Sequence, residues 1–145
     1  MFEGALLLHW HRQLGKWLPP GGHVEPNELP DEAAVREVLE ETSVPIRLLG
    51  RRGLSVGEPR QLVVPARIQV EPIYGGHEHI DLVYFAAPEP YDAATSRVAA
   101  ELAARDGVGW YQPHALAGLG ASDEIQQWAR RALAEAPALR AATPG

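Results

Sequence analysis

Three carboxylates stand close together on one short stretch of the chain, Glu37, Glu40 and Glu41. On a helix they are related by three and four residues, so they share a face on which like charges repel each other. Arg36, one helical turn from Glu40, can neutralise one of them. A hard divalent cation, Mg²⁺ or Mn²⁺, prefers oxygen ligands and is the natural partner for the others. The plainer interpretation is a solvated acidic face on a surface helix.

The flanking residues predict how this acidic face is positioned. A helix is expected from Pro30, which suits a first helical position, to Glu41 or Thr42, because Pro45 prevents much further extension. Four apolar side chains should face a sheet, namely Ala34, Val35, Val38 and Leu39. Just upstream, Gly22 lets the backbone approach closely, which suits a carbonyl ligand or a phosphate contact.

Strands are predicted on both sides of this helix, and they occupy residues 2–10, 23–25, two or three stretches within 46–74, then 77–87 and 108–113. A polar turn is expected around Gly15. A second amphipathic helix is expected over residues 122–136, followed by a frayed tail. Residues 95–104 form either a short helix or a loop. The chain is therefore expected to mix strands with two good helices in one domain.

Residues 22–44 read GHVEPNELPDEAAVREVLEETSV. This stretch resembles the Nudix box, G-x5-E-x7-R-E-U-x-E-E-x-G-U, in which U is a bulky apolar residue, and it matches eight of the nine specified positions. The departure is Ser43, where the family has glycine. Glycine at that place ends the helix in a left-handed conformation, which would cost serine about 1 kcal/mol.

The resemblance implies a role for each matching residue. Glu40 and Glu41 would be the main metal ligands, and Glu37 would be a further ligand or the general base. The Gly22 carbonyl would complete the metal shell. Glu28 would pair with Arg36 and orient the helix and the loop, which makes a catalytic set of Glu28, Arg36, Glu37 and Glu41. The general base stays open between Glu37, Glu41 and an acid from a later loop, for which the candidates are Glu78, Asp81, Glu89 and Glu101.

Polar residues outside the box supply candidate substrate contacts. Alternation places His77, His79 and Asp81 on one face of a predicted strand, with Ile80 and Leu82 on the other. The functional interpretation is substrate contact or an extra metal ligand, and the structural one is an exposed polar strand face. Near the end of the first strand, His9, His11 and Arg12 could meet a base or a phosphate, or could simply lie on the surface. Arg12, His79 and Asp81 are the predicted substrate-binding residues.

Composition limits the partners. The formal net charge of the 145-residue chain is −6, which gives no basic character to attract nucleic acid or an anionic membrane. The absence of cysteine excludes disulfides, thiolate zinc sites and cysteine nucleophiles. No apolar run has the length of a membrane span and no signal peptide is apparent, so a cytoplasmic protein is expected. A homodimer is compatible with the sequence.

These observations predict the Nudix α/β/α sandwich, a mixed β-sheet between helices, as a single domain over residues 1–145. The resemblance implies a Mg²⁺-dependent (or Mn²⁺-dependent) hydrolase that cleaves a diphosphate bond in a small nucleotide, with a nucleoside tri- or diphosphate as the first candidate. A nucleotide sugar or a dinucleotide is the alternative substrate. The rival from another class is a Nudix module that senses a nucleotide without cleaving it.

Overall fold

The computed structural model describes residues 1–89 and 107–142, together with Ala94, Val98, Glu101 and Leu102. Its seven strands are β1 (Leu6–His11), β2 (Lys16–Leu18), β3 (Ile46–Leu49), β4 (Arg67–Ile73), β5 (His77–Val83), β6 (Phe85–Pro88) and β7 (Val108–Tyr111). The α-helices that are described without a gap are α1 (Pro30–Thr42) and α2 (Asp123–Ala142), and a 3-10 helix spans Pro113–Ala115.

The described strands pair antiparallel in three groups. β1 lies between β2 and β7, β3 pairs with β6, and β4 pairs with β5. His9 on β1 stands opposite Leu18 of β2 and Val108 of β7, which places it in the middle of its sheet. The β1–β2 hairpin turns at Gly15 as predicted, with the Gly15 N–H donating to the His11 carbonyl at 2.8 Å.

The two helices cover opposite faces of the strands. Leu8 on β1 is fully buried against α2, where it meets Ile125 and Ala129. The next side chain along the strand, Leu7, points the other way and packs in the cluster that includes Val38 of α1. α2 also packs on β3 and β6, as the predicted amphipathic pattern requires. The predicted α/β class is therefore present, with helices on both sides of the strands.

α1 has the predicted bounds but not the predicted buried face. Leu39 is 48% exposed, whereas Asp31, Ala33 and Thr42 are buried. The covered line runs through Asp31, Val38 and Thr42, and Leu39 lies about 100° around the helix from Val38. Thr42 is tolerated there because its hydroxyl donates to the Val38 carbonyl at 2.6 Å. The prediction that Leu39 lies on the buried face of α1 is therefore wrong.

The ends of α1 follow the expected chemistry. The N-cap is Leu29, which has no side-chain acceptor, and the Glu32 side chain instead accepts the Leu29 N–H at 3.4 Å. At the other end Ser43 has φ 59° and ψ 18°, the left-handed conformation predicted for this position. Its N–H donates to the Leu39 carbonyl at 2.8 Å, which closes the helix.

Three strand and tail predictions need correction. Residues 2–5 form a tight turn instead of the start of a strand, because Glu3 and Gly4 both have positive φ. Residues 23–25 are exposed and pair with no strand, and the His23 carbonyl accepts a bond from Arg36 instead. The tail expected to fray continues α2 through Pro137 to Ala142.

The predicted short helix or loop over 95–104 lies mostly outside the described residues. Within it, Val98, Glu101 and Leu102 are helical. None of the helices in the described part of the chain is both long and apolar enough to cross a membrane.

Candidate active site

Arg36 is the hub of the carboxylate cluster. A guanidinium has five N–H donors, and all five of Arg36 are used. Nε and Nη2 hold both oxygens of Glu28 at 2.7 and 3.0 Å, which is the pair predicted from the sequence. The remaining three donors reach Glu37 Oε1 at 2.9 Å, Glu40 Oε2 at 3.1 Å and the His23 carbonyl at 3.0 Å. One cation therefore joins the helix face to the preceding loop.

These contacts shift the titration of the Glu28–Arg36 pair. Hydrogen bonds from Arg36, followed by the bond that Glu28 accepts from the Glu25 N–H, lower the pKa of Glu28 to about 2. The bonds to Glu28 and then to Glu37 raise the pKa of Arg36 above its usual range. Both groups are therefore charged at neutral pH, and the pair is a fixed support for the cluster.

The Gly21–Gly22 loop lies directly against two of the carboxylates. A Cβ at Gly22 would be only 2.3 Å from Glu37 Oε1, so a larger residue would displace the Glu37 carboxylate from its present position. The neighbouring Gly21 N–H donates to Glu41 Oε2 at 2.9 Å. The loop thus contacts the helix through its backbone.

His9, on β1, lies beside Glu41. Its Nε2 lies 3.6 Å from Glu41 Oε2, and the histidine side chain is only 12% exposed. Burial lowers the pKa of His9, while the charge of Glu41 opposes that shift. His9 comes from the middle of β1, so the sheet holds it at the carboxylate face.

The oxygen atoms of this cluster are chemically suited to binding a divalent cation. Glu37, Glu40 and Glu41, with the Gly22 carbonyl, offer only hard oxygens, the ligands that Mg²⁺ and Mn²⁺ prefer. As placed, no three acidic or histidine side chains of the described residues form a group that could hold an ion. Arg36 takes one oxygen each of Glu37 and Glu40, and the Gly21 N–H takes one of Glu41. The second oxygen of each carboxylate has no hydrogen-bond partner within the described residues and remains available to a cation.

The β4–β5 hairpin presents its polar face to the Gly21–Gly22 loop. The ring of His79 lies 5.1 Å from the ring of His23, and His77 lies 5.3 Å from His79. Alternation on β5 is as predicted, since His79 and Asp81 are partly covered while Ile80 is 73% exposed. The polar face is therefore partly covered at His79 and Asp81, although His77 is exposed and Leu82 on the opposite face is also partly covered.

Asp81 lies one step further along this hairpin face. It stands opposite Gln69, whose amide reaches Asp81 Oδ2 at 3.5 Å and Glu124 Oε1 at 2.7 Å. Burial, followed by the charge of Asp81, raises the pKa of the neighbouring Glu71. Asp81 therefore belongs to a carboxylate group beside His79, and no hydrogen bond among the described residues joins it to the helix carboxylates.

The predicted residues do not all come together. Glu28, Arg36, Glu37 and Glu40 form one connected group, Glu41 and Gly22 contact it through the loop, and His79 reaches it through His23. Arg12 does not: it is exposed in the β1–β2 turn and makes no contact with the box within the described residues. Among the three residues considered near the end of β1, His9 is the one that meets the site. Only its place in an apolar strand signalled this, because a polar side chain between buried positions needs a partner.

Comparison with known proteins agrees with this geometry. The NUDIX domain family model matches residues 1–136. Two mouse (Mus musculus) proteins, diphosphoinositol polyphosphate phosphohydrolases 3-alpha and 3-beta, are each 51% identical over 42 residues. That stretch is 29% of this chain and 26% of each relative, so the chain spans about a quarter of the length of the curated relatives it matches.

Solved structures resemble the whole described fold. A NUDIX-family hydrolase from Clostridium perfringens has a TM-score of 0.70 at 27% identity, covering 92% of this chain and 90% of that one. The C. elegans Ap4A hydrolase has a TM-score of 0.58 at 18% identity, covering 90% and 83%, and this likeness concerns the fold alone. The α/β/α sandwich predicted from the sequence is thereby confirmed.

Proposed function

This chain belongs to the NUDIX domain family, and on that premise we propose that it is a hydrolase of pyrophosphate bonds that uses Mg²⁺ or Mn²⁺. Its proposed substrate is a nucleoside diphosphate linked to another group, with nucleoside tri- and diphosphates as the first candidates. The family match and the NUDIX-family hydrolase among the solved structures support the reaction class. The nucleotide and the metal are proposals of this article.

The observation that carries the proposal is the group of three helix carboxylates that Arg36 and the Gly21 N–H hold in place. Arg36 fixes Glu37 and Glu40 by one oxygen each, and the loop fixes Glu41. A helix that needed only a solvated acidic face would not require five bonds from one arginine or a glycine packed on a carboxylate. Such an arrangement is suited to a cation and a phosphate chain, since it preorganises oxygen ligands on a rigid element.

Each residue then has a proposed part in the reaction. Glu37, Glu40, Glu41 and the Gly22 carbonyl would hold the divalent ion, which would neutralise the diphosphate and acidify a water. Water attacks one phosphorus, the bridging P–O bond breaks, and the proton passes to a base. Glu41 is our choice of base, because Glu37 accepts a bond from the Arg36 cation, whereas Glu41 accepts only the neutral Gly21 N–H and lies beside His9. Glu28 and Arg36 act as positioning residues.

A diphosphoinositol polyphosphate is the second substrate class to be tested, because of the 51% identity to proteins with that name over 42 residues. Electrostatics favours the nucleotide. The net charge of the chain is −6, and the donors of Arg36 are all engaged, so the site has little unpaired positive charge for a densely phosphorylated ring. Nucleotide sugars and dinucleotides remain alternative substrates, and a nucleotide sensor remains the non-catalytic alternative.

A phosphate-release screen tests the proposed function. The purified chain would be incubated with nucleotides, nucleotide sugars, dinucleotides and a diphosphoinositol polyphosphate, each with Mg²⁺ or Mn²⁺ and with or without pyrophosphatase. Turnover of a nucleotide class that stops on chelation supports the proposal. Turnover of the inositol compound alone would replace the substrate. Metal-dependent nucleotide binding without any product would indicate the sensor. The expected single domain over 1–145 is a separate prediction, which limited proteolysis would test.

A further inference from the structure

A cavity of about 650 Å³ opens beside α1, and Glu28 and Arg36 of the carboxylate cluster are among the residues that line it. It lies between the N-terminal half of α1, strand β3 and the irregular segment 50–63. Its apolar wall consists of Val35, Ile46, Leu48 and Val63. The volume is within the range of small-molecule sites, and an apolar wall with a few polar groups is typical of them.

Asp31 is the buried charged residue among those that line this cavity. Asp31 is only 6% exposed, yet its Oδ1 atom has no hydrogen-bond partner among the described residues. The other oxygen, Oδ2, accepts the Val63 N–H at 3.3 Å and lies 3.9 Å from Arg52 Nη1. A buried carboxylate oxygen without a donor is costly, so this oxygen calls for a donor from outside the described residues.

Not every arginine that lines the cavity forms an ion pair or a hydrogen bond within the described residues. Arg36 is committed to Glu28, Glu37 and Glu40, and Arg60 donates to Glu32 at 2.8 Å. Arg52 donates to the Gln61 carbonyl at 2.7 Å. The Arg47 guanidinium has no ion pair or hydrogen bond among the described residues, although it lines the cavity. Glu89 also lines the cavity and is likewise unpaired there.

We propose that this cavity binds a nucleotide, with N–H donors of the base at Asp31 Oδ1, the ring against the apolar wall and the phosphate at Arg47. The choice of a nucleotide rests on the proposed function, whereas the need for a donor, a flat apolar body and an anion follows from the cavity itself. Two sources share this chemistry. The ligand is either the nucleoside end of the substrate, reaching past Arg36, or a second nucleotide molecule.

The test is a titration of the ¹⁵N-labelled chain with AMP, GMP, CMP and UMP in turn, followed by backbone amide shifts. We expect at least one nucleotide to give saturable shifts at Val63, Arg47 and Leu48. Arg47→Gln should weaken binding about tenfold, the usual effect of losing a charged hydrogen bond. Arg130→Gln is the matched control, because Arg130 lies outside this cavity on α2.

Asp31→Asn is the second variant. It should weaken nucleotide binding but leave the free protein equally or more stable, because it removes a buried charge while keeping an acceptor for Val63. If Asp31→Asn fails to fold, Arg47→Gln still decides the matter. Shifts confined to the Gly21–Gly22 loop and residues 37–41, the same affinity in Arg47→Gln as in wild type, or no shifts with any nucleotide would each overturn the proposal.

Once a substrate is known, steady-state kinetics shows whether the ligand of the cavity is the substrate's own nucleoside end or a second nucleotide molecule. If the cavity takes the substrate's own nucleoside end, the mononucleotide competes with substrate and Arg47→Gln raises KM alone. If the cavity instead binds a second nucleotide molecule, Arg47→Gln changes kcat or leaves the KM for the substrate unaffected. Turnover without shifts in the cavity would refute this inference and leave the proposed function standing. Shifts in the cavity without turnover of any compound would refute the proposed function and leave this inference standing.

Discussion

Gly22→Ala is the substitution whose outcome the geometry specifies most sharply. A Cβ at this position would lie 2.3 Å from Glu37 Oε1 and 2.6 Å from Oε2. Because non-bonded carbon and oxygen atoms need more than 3 Å, the carboxylate must retreat by roughly 1 Å. The methyl group would meet the end of a flexible side chain, so Glu37 turns away while the backbone keeps its course.

The expected effect is therefore on the reaction more than on the fold. Displacing a reacting or ligating group by about 1 Å can lower the rate about 100-fold, and we expect a fall in kcat of that order. Alanine also restricts the unfolded chain, which favours folding by about 0.4–1 kcal/mol and offsets part of the lost Glu37 contact. The melting temperature should stay within about 3 °C of wild type.

Gly21→Ala is the matched control. A Cβ at Gly21 meets nothing within 4 Å, and the substitution keeps the N–H that Glu41 accepts. Circular dichroism melts and steady-state kinetics on the substrate found in the screen would be measured for both variants. An equal loss of kcat in the two variants, or full activity in Gly22→Ala, would refute the reasoning that the loop must approach Glu37 this closely.

Three further predictions follow from the same site. Arg36→Lys should lower kcat and thermal stability together, since three ammonium donors cannot replace five arranged in a plane; wild-type activity and melting temperature would contradict this. Because the pKa of Glu28 is lowered to about 2, its contribution to stability is present above pH 4.5 and is lost as the pH falls towards 2. Urea unfolding of wild type and Glu28→Gln should therefore differ most at neutral pH and converge in acid, whereas a constant difference would disprove the linkage. Ser43→Gly should raise the melting temperature by about 2–4 °C by relieving the left-handed strain, and a lower melting temperature would count against it.

Much of the site was predictable because it is local. The spacing of Arg36, Glu37, Glu40 and Glu41 places them on one helix face whatever the rest of the fold does. Glu28 precedes the helix by a short loop, so its pairing with Arg36 also follows from proximity in sequence. The left-handed Ser43 was expected for the same reason, since a helix end is a matter of a few residues.

The remaining features depend on contacts between secondary-structure elements, which the spacing of residues in the sequence does not predict. Periodicity identifies an apolar stripe but does not fix the rotation of α1 against the strands, which is why Leu39 is exposed and Asp31 is buried. Likewise, only the register of β1 brings His9, and not Arg12, to Glu41. Alternation on β5 was correct, but alternation does not predict that the His23 ring packs against His79.

The prediction of a frayed tail after residue 136 failed for a different reason. The helix continues through Pro137 to Ala142, and a proline in a helix interior can be kept when the flanking turns are buried. Ala132 and Ala136 before it, with Leu139 after it, pack against β3 and β6. Tertiary burial thus outweighed the local penalty of proline.

The most direct test of the central claim is turnover by Glu41→Gln beside wild type, with Glu135→Gln on α2 as a control that removes a carboxylate far from the site. The account predicts metal-dependent turnover by wild type and the control, and a loss of turnover in Glu41→Gln with a melting temperature near that of wild type. Undiminished turnover in a folded Glu41→Gln would show that the carboxylates of α1 do not carry the reaction.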